Sequence, residues 1–106
     1  MKAKFLYDGN SIDYIPAADV AAGDVVVIGD IVGVAPFDIP AGALGAVALT
    51  GVWEAVKDAA AITVGAKVYW NAADGKATAT AGSNKLLGYA VAAAAADGET
   101  VQVRIG

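Results

Sequence analysis

Three sets of polar residues in this chain have types and spacings that could carry chemistry. The first is Asp8, Asn10 and Asp13 in "DGNSID", which would supply the oxygen ligands that calcium prefers. A calcium loop of the EF-hand type also ends in a bidentate glutamate, and this segment continues without one. We therefore interpret "DGNSID" as a turn rather than a metal site.

The second set is Gly75-Lys76 in "ADGKAT", the residue pair that ends a phosphate-binding loop. Such a loop requires a glycine where this chain has Trp70, and a serine or threonine where it has Ala77. Without these residues there is neither a backbone cradle for phosphate nor a hydroxyl for magnesium. We predict that the protein binds no nucleotide cofactor.

The third set is Ser11 and Ser83, the candidate nucleophiles. The chain has no histidine and no cysteine, which excludes thiolate nucleophiles, Cys/His zinc sites and imidazole-based proton transfer. The serines therefore lack an activating imidazole, and most aspartates stand beside Gly, Ala or Pro, as they do in turns. The sequence predicts a protein that is not an enzyme, with no catalytic residue, metal or cofactor.

The charge pattern bears on the partners of the protein. The seven Lys and Arg residues are scattered singly and the net charge is −4, which disfavours nucleic acid as a partner. No stretch approaches the ~18 apolar residues of a membrane span. The apolar run in "MKAKFLYDGN" is too short for a signal peptide. We expect a soluble protein without an export signal, bound to neither nucleic acid nor membrane.

The elements that would position these residues are short strands. Gly and Pro interrupt β-branched runs along the whole chain, which predicts an all-β fold: a small β-sandwich or jelly-roll-like barrel of about eight short antiparallel strands. Hairpin turns are expected at Gly29-Asp30, Thr50-Gly51, Asn71 to Gly75 and Asp97-Gly98. We expect residues 1–106 to form a single β domain, with residues 1–8 as an N-terminal arm.

A weak internal echo accompanies these strands. A small residue and a glycine lead into a strand four times, in "AAGDVVVI", "PAGALGAVAL", "TVGAKVYW" and "ADGETVQVRI". The spacing of the four segments is irregular, which excludes a solenoid repeat. We interpret the echo as one turn-into-strand solution that the chain uses repeatedly.

Two segments are open to a helical interpretation. Ala92 to Ala96 are five consecutive alanines, and alanine is the best helix former. The run leads, however, into Asp97-Gly98 and then into Val101 to Ile105, which alternates apolar and polar residues as a strand does. We predict a strand through Leu86–Val91, a small-residue connection and a final strand, with an alanine-rich loop or helical turn as the alternative. For Trp53 to Ala61 we favour a strand over a helix.

The order of several short segments resembles a known family. The most telling segments are "AGDVV" at 22–26, "VGVA" at 32–35, "GVW" at 51–53, "GAKVYW" at 65–70 and "LGYAV" at 87–91. Their order, from Gly9 to Ile105, resembles that of the small capsid cement, or head decoration, proteins of tailed bacteriophages. Some members carry the label of a RecA/RadA-type recombinase, and the incomplete phosphate loop argues against that label here.

The resemblance implies a structural virion protein that binds the outer surface of the phage head and cements neighbouring capsomers. Its partners would be the major capsid protein and further copies of itself, with a trimer favoured and a dimer as the alternative. A different class remains open from the residues alone: a β-sandwich binding module, such as a carbohydrate-binding or fibre-like domain. A binding module would expose an aromatic platform, whereas a cement protein should bury its aromatic residues in its core or in subunit contacts.

The residues that we expect to contact the capsid or another subunit fall into three groups. They are Lys2, Lys4, Phe5, Leu6 and Tyr7 in the arm, Trp70 in a strand, and Ala92, Ala93 and Ala94 in the alanine run. The arm is an apolar cluster that needs a burial partner, and its alternative is an ordinary first strand of the domain. Trp70 and its neighbour Tyr69 face opposite sides of one strand, so core and interface positions are both open for them.

Overall fold

A computed structural model describes residues 2–106, which form nine strands and no helix. The strands are β1 (Ser11–Tyr14), β2 (Val25–Ile28), β3 (Ile31–Val34), β4 (Gly45–Ala48), β5 (Gly51–Val56), β6 (Lys67–Asn71), β7 (Lys76–Thr78), β8 (Lys85–Ala90) and β9 (Thr100–Ile105). The predicted all-β fold is confirmed. Within residues 2–106 no helix is long and apolar enough to cross a membrane.

The strands form two antiparallel sheets, as in a small β-sandwich. The first sheet has the order β1-β4-β3-β2 and the second has the order β5-β9-β8-β6-β7. Val32 and Val34 of β3 join the core of the second sheet, which includes Val68, Leu87 and Val103. A smaller apolar cluster comprises Val26, Ala35, Ile39 and Val47. Both faces of the β2–β3 pair therefore contribute to a core cluster, which is consistent with their β-branched residues, although Val27 and Ile31 remain exposed.

The predicted hairpins are right in two places. Gly29-Asp30 joins β2 to β3, and the turn from Asn71 to Gly75 joins β6 to β7. The hairpin predicted at Thr50-Gly51 is wrong, because β4 and β5 lie in different sheets. Both edges of β4 are already paired, with β1 and β3, so β5 pairs with β9 instead.

The last predicted hairpin is right in its pairing and wrong in its turn. β8 and β9 are antiparallel neighbours, but residues 91–99 form a long connection between them. Asp97-Gly98 belongs only to the final turn of that connection, where the Gly98 amide donates to the Ala95 carbonyl at 3.0 Å. The alanine run is thus a loop, and its Ala94 forms an isolated β-bridge with Ile62.

The two sheets repeat one topology. β1, β2, β3 and β4 of the first sheet correspond to β5, β6, β8 and β9 of the second, and β7 adds one strand at the edge. Equivalent hydrogen bonds accompany this match: Val20 with Ile39 and Ile62 with Ala94, then Gly23 with Ala35 and Gly65 with Ala90. The four echoing segments precede β2, β4, β6 and β9, which form two equivalent pairs. The echo in the sequence therefore marks an internal structural duplication.

An ion pair links the two sheets at the surface. The Lys85 ammonium, at the start of β8, lies 2.6 Å from the Asp30 carboxylate in the β2–β3 turn. Its hydrogen bond and its charge hold the pKa of Asp30 below the ordinary value of 3.8. Because the folded state lowers this pKa, the pair stabilises the fold above about pH 4 and is lost as the pH falls through the lowered value.

We expect an NMR titration of the Asp30 carboxyl to give a midpoint below 3.8. The substitution Lys85→Met should raise the midpoint to the ordinary value, because it removes both the donor and the charge. Lys67→Met, an exposed lysine of β6, should leave it unchanged. High salt should weaken the shift, since Asp30 is 92% exposed and the pair is open to screening ions. A midpoint that Lys85→Met does not move would contradict the ion pair.

Candidate interaction surfaces

The arm is the most apolar exposed segment of the chain. Residues 2–9 precede β1 and belong to neither sheet. Phe5, Leu6 and Tyr7 are 78%, 75% and 63% exposed. The alternative of an ordinary first strand is therefore wrong for residues 2–8, while Met1 lies outside the described residues.

An apolar cleft of about 660 Å³ opens between the two sheets. Val25 and Val27 of the edge strand β2 form one wall, and the second sheet forms the other, with Trp53 and Trp70. Both tryptophans are half-buried and pack against the main core. The Trp53 indole N–H donates to the Thr50 carbonyl at 3.0 Å, which fixes its ring in the cleft wall.

The cleft also carries negative charge. Asp24 and Glu54 are both exposed and both line it, and its lining contains no lysine or arginine. The cleft is thus an apolar site with an acidic rim. Trp70 lies in its wall, whereas none of the predicted arm residues and none of the three predicted alanines is among the lining residues.

The alanine run is held in place by a residue that sequence reasoning missed. Lys57 is only 4% exposed, and its Nζ lies 2.8 Å from the Ala95 carbonyl oxygen and 2.9 Å from that of Asp58. It also reaches the carbonyls of Ala96 and Gly98, at 3.4 and 3.3 Å. The ammonium thereby satisfies carbonyls that would accept hydrogen bonds from backbone amides in a helix. The alanine run follows a loop path instead.

A signal for Lys57 was present in the sequence. Along β5 the side chains alternate, and Lys57 continues the phase of Trp53 and Ala55, the inward-facing residues. Three of its four carbonyl partners, however, lie about forty residues further on. Ala92 and Ala94 are half-buried and Ala93 is exposed, so the run offers a small-residue surface.

Two of the segments that could have carried chemistry make ordinary turn and backbone contacts. The Asn71 side-chain oxygen accepts hydrogen bonds from the amides of Ala73 and Asp74, and so builds the turn that leads to Gly75-Lys76. The Asn10 carbonyl accepts from the Leu49 amide at 2.8 Å. Among residues 2–106, no group of three acidic side chains is placed to hold a metal ion.

Exposed apolar surface, as in the arm and the cleft, is typical of sites of contact with other molecules. The comparison with protein families identifies the class of protein. The chain belongs to the phage cement protein family, whose sequence model matches residues 6–105. It is therefore a structural protein of a bacteriophage virion, associated with the capsid. Searches of curated proteins and of solved structures gave no match.

Proposed function

We propose that this protein binds the outer surface of the phage head and cements neighbouring capsomers, acting without catalysis. Its direct partner would be the major capsid protein, and neither nucleic acid nor a membrane would take part. Membership of the cement family supports the capsid as the target. We further propose that residues 1–106 act as one domain from which the arm extends.

The observation that carries this proposal is the arm. Phe5 and Leu6 are more than 70% exposed beside Lys2 and Lys4, so the arm presents apolar surface and positive charge outside both sheets. Exposed apolar surface of this kind is typical of sites of protein contact. Such a segment can bury its apolar side chains against the capsid or against a neighbouring copy on the head, and either contact would strengthen attachment.

The proposal includes self-association. A subunit that binds where several capsid subunits meet can match the local symmetry, and closed symmetric association is the default for soluble assemblies. We favour a trimer, with a dimer as the alternative, and the exposed face of the alanine run would suit a packed contact. A map of decorated heads tests this: copies that make no contact with one another would contradict it.

The direct test is decoration of heads that lack this protein. Purified protein should bind such heads saturably and raise the temperature at which they release DNA or collapse. The double substitution Phe5→Ser/Leu6→Ser should weaken binding at least tenfold, because each side chain contributes on the order of 1.5 kcal/mol or more when buried. The unbound variant should unfold at the wild-type temperature, since both side chains are exposed.

A matched control separates the arm from exposed apolar residues in general. Leu44→Ser changes a residue that is 67% exposed and lies outside both the arm and the alanine run. It should leave occupancy of the heads unchanged. Equal occupancy by the arm variant and the wild type would show that the arm is not a contact. Failure of the wild-type protein to bind heads would overturn the proposed function.

A further inference from the structure

The arm and the inter-sheet cleft offer each other matching apolar surfaces. The cleft, at about 660 Å³, lies within the range of about 300–1,000 Å³ in which proteins hold ligands. Its walls include Trp53, Trp70 and Val27, and the last of these is 38% exposed. The arm carries three large apolar side chains in sequence, each more than 60% exposed. Docking would remove both surfaces from water.

The charges of the two surfaces are complementary. Asp24 and Glu54 give the cleft an acidic rim without a basic residue in its lining. Lys2 and Lys4 stand directly before the apolar residues of the arm, in a chain whose net charge is −4. Opposite charges of this kind orient a partner segment and disfavour segments without the complementary charge.

The arm and the cleft of one chain lie at different edges of the first sheet. The arm leaves from β1, at one edge of the first sheet, while the cleft lies along β2, at the other edge. Those edges are three strand spacings apart, about 14 Å. On its own chain the arm is exposed rather than docked. A copy whose β1 edge lies beside a neighbour's β2 edge would place its arm next to the cleft of that neighbour.

We propose that the arm of one copy, through Phe5, Leu6 and Tyr7, docks in the cleft between the two sheets of a neighbouring copy. The inference rests on the self-association that forms part of the proposed function. The contact is heterologous, since arm and cleft are different surfaces, and heterologous contacts form a ring when the rotation between copies closes. A ring of three such contacts is a trimer that leaves no arm and no cleft unused.

Engineered disulfides test the docking, because the chain has no native cysteine. Heads would be decorated with an equal mixture of Leu6→Cys and Val27→Cys proteins of different mass, then oxidised mildly. We expect dimers that contain one chain of each kind. The control pairs Leu6→Cys with Val64→Cys, an exposed position outside the cleft lining, and should give at least fivefold less dimer. Equal yields would overturn the docking.

The double variant Leu6→Cys/Val27→Cys separates docking between copies from docking within one chain. Docking between copies should give covalent oligomers that end at the closed ring. Docking within a chain should give only internally linked monomers, which would overturn the proposal. Ala72→Cys, at a second exposed position of the lining, should replace Val27→Cys with the same outcome.

Charge reversal gives an independent readout. Lys2→Glu/Lys4→Glu should lower the yield of the Leu6–Val27 link about fivefold, as expected for two exposed ion pairs. Adding Glu54→Lys to the cleft partner should restore it, and an unchanged yield would contradict docking at this rim. Heads that bind the Leu6→Cys and Val27→Cys proteins without forming the Leu6–Val27 link would refute the docking alone. Heads that fail to bind the wild-type protein would refute the proposed function.

Discussion

Replacement of Gly88 by alanine is expected to lower the free energy of unfolding by about 3 kcal/mol or more, the largest single effect that we predict. Gly88 is buried in β8 and faces β9, where an added Cβ would overlap the Arg104 carbonyl oxygen. That oxygen belongs to the backbone, so β8 and β9 would have to move apart. For a chain of this size the midpoint of thermal unfolding should fall by about 12 °C or more.

The measurement is chemical denaturation followed by tryptophan fluorescence, since both tryptophans are half-buried. Gly33 occupies the equivalent position in β3, and its Cβ would lie 2.6 Å from the Ala48 carbonyl oxygen. Gly33→Ala should therefore have an effect of the same order. Gly98→Ala is the matched control, because the nearest atom to its Cβ would be the Ala95 carbonyl oxygen at 3.1 Å. This substitution should lower the free energy of unfolding by less than about 1 kcal/mol. A Gly88→Ala protein as stable as that control would contradict the close approach of β8 and β9.

Replacement of Lys57 by methionine is expected to lower the free energy of unfolding by about 2–3 kcal/mol. Methionine keeps most of the buried chain length but removes the donor that the carbonyls of Asp58, Ala95 and Gly98 share. Removing a buried charge recovers part of its desolvation cost. The net loss of stability should therefore be smaller than the summed contributions of the separate hydrogen bonds. Thermal unfolding should shift down by about 10–20 °C.

The matched control for this substitution is Lys67→Met, which removes an exposed lysine of a neighbouring strand. It should change stability by less than about 0.5 kcal/mol. Amide hydrogen exchange adds a local readout: in the Lys57→Met protein, the amide of Ala94 should exchange faster, because its bond to Ile62 depends on the path of the loop. Equal stability of the two methionine variants would show that the buried ammonium does not hold the alanine run.

The internal duplication gives these two predictions a common basis. Gly33 and Gly88 are equivalent, and so are the bridges that hold Ile39 and Ala94. The alanine run occupies the place that "FDIPA" (residues 37–41) fills in the first half of the chain. In the first half, Ile39 is a buried core residue, whereas Ala94 is a small half-buried residue. Buried Lys57 binds the loop carbonyls on the alanine side, which compensates for the smaller side chain.

The sequence by itself determined the fold class and the protein family. Alternating residues in "VQVRI" and the recurrent glycine turns specify strands, because strand periodicity and turn chemistry are local properties. The same local logic favoured a strand over a helix for Trp53 to Ala61, of which residues 53–56 lie in β5, and it kept the alanine run out of a helix. The order of short segments from Gly9 to Ile105 identified the cement family, which the family comparison confirms.

Tertiary structure alone decided which strands pair and which surfaces remain exposed. The sequence of a turn at Thr50-Gly51 is the same whether or not the flanking strands pair. β4 and β5 do not pair because both edges of β4 are already occupied, by β1 and β3. Trp53 and Trp70 meet in one cleft, and Lys57 meets carbonyls about forty residues away. Sequence patterns report which face of a strand is apolar, but they do not report what lies opposite that face. The cleft, the buried lysine and the exposed arm all depend on such opposite partners, which exist only once the two sheets have packed.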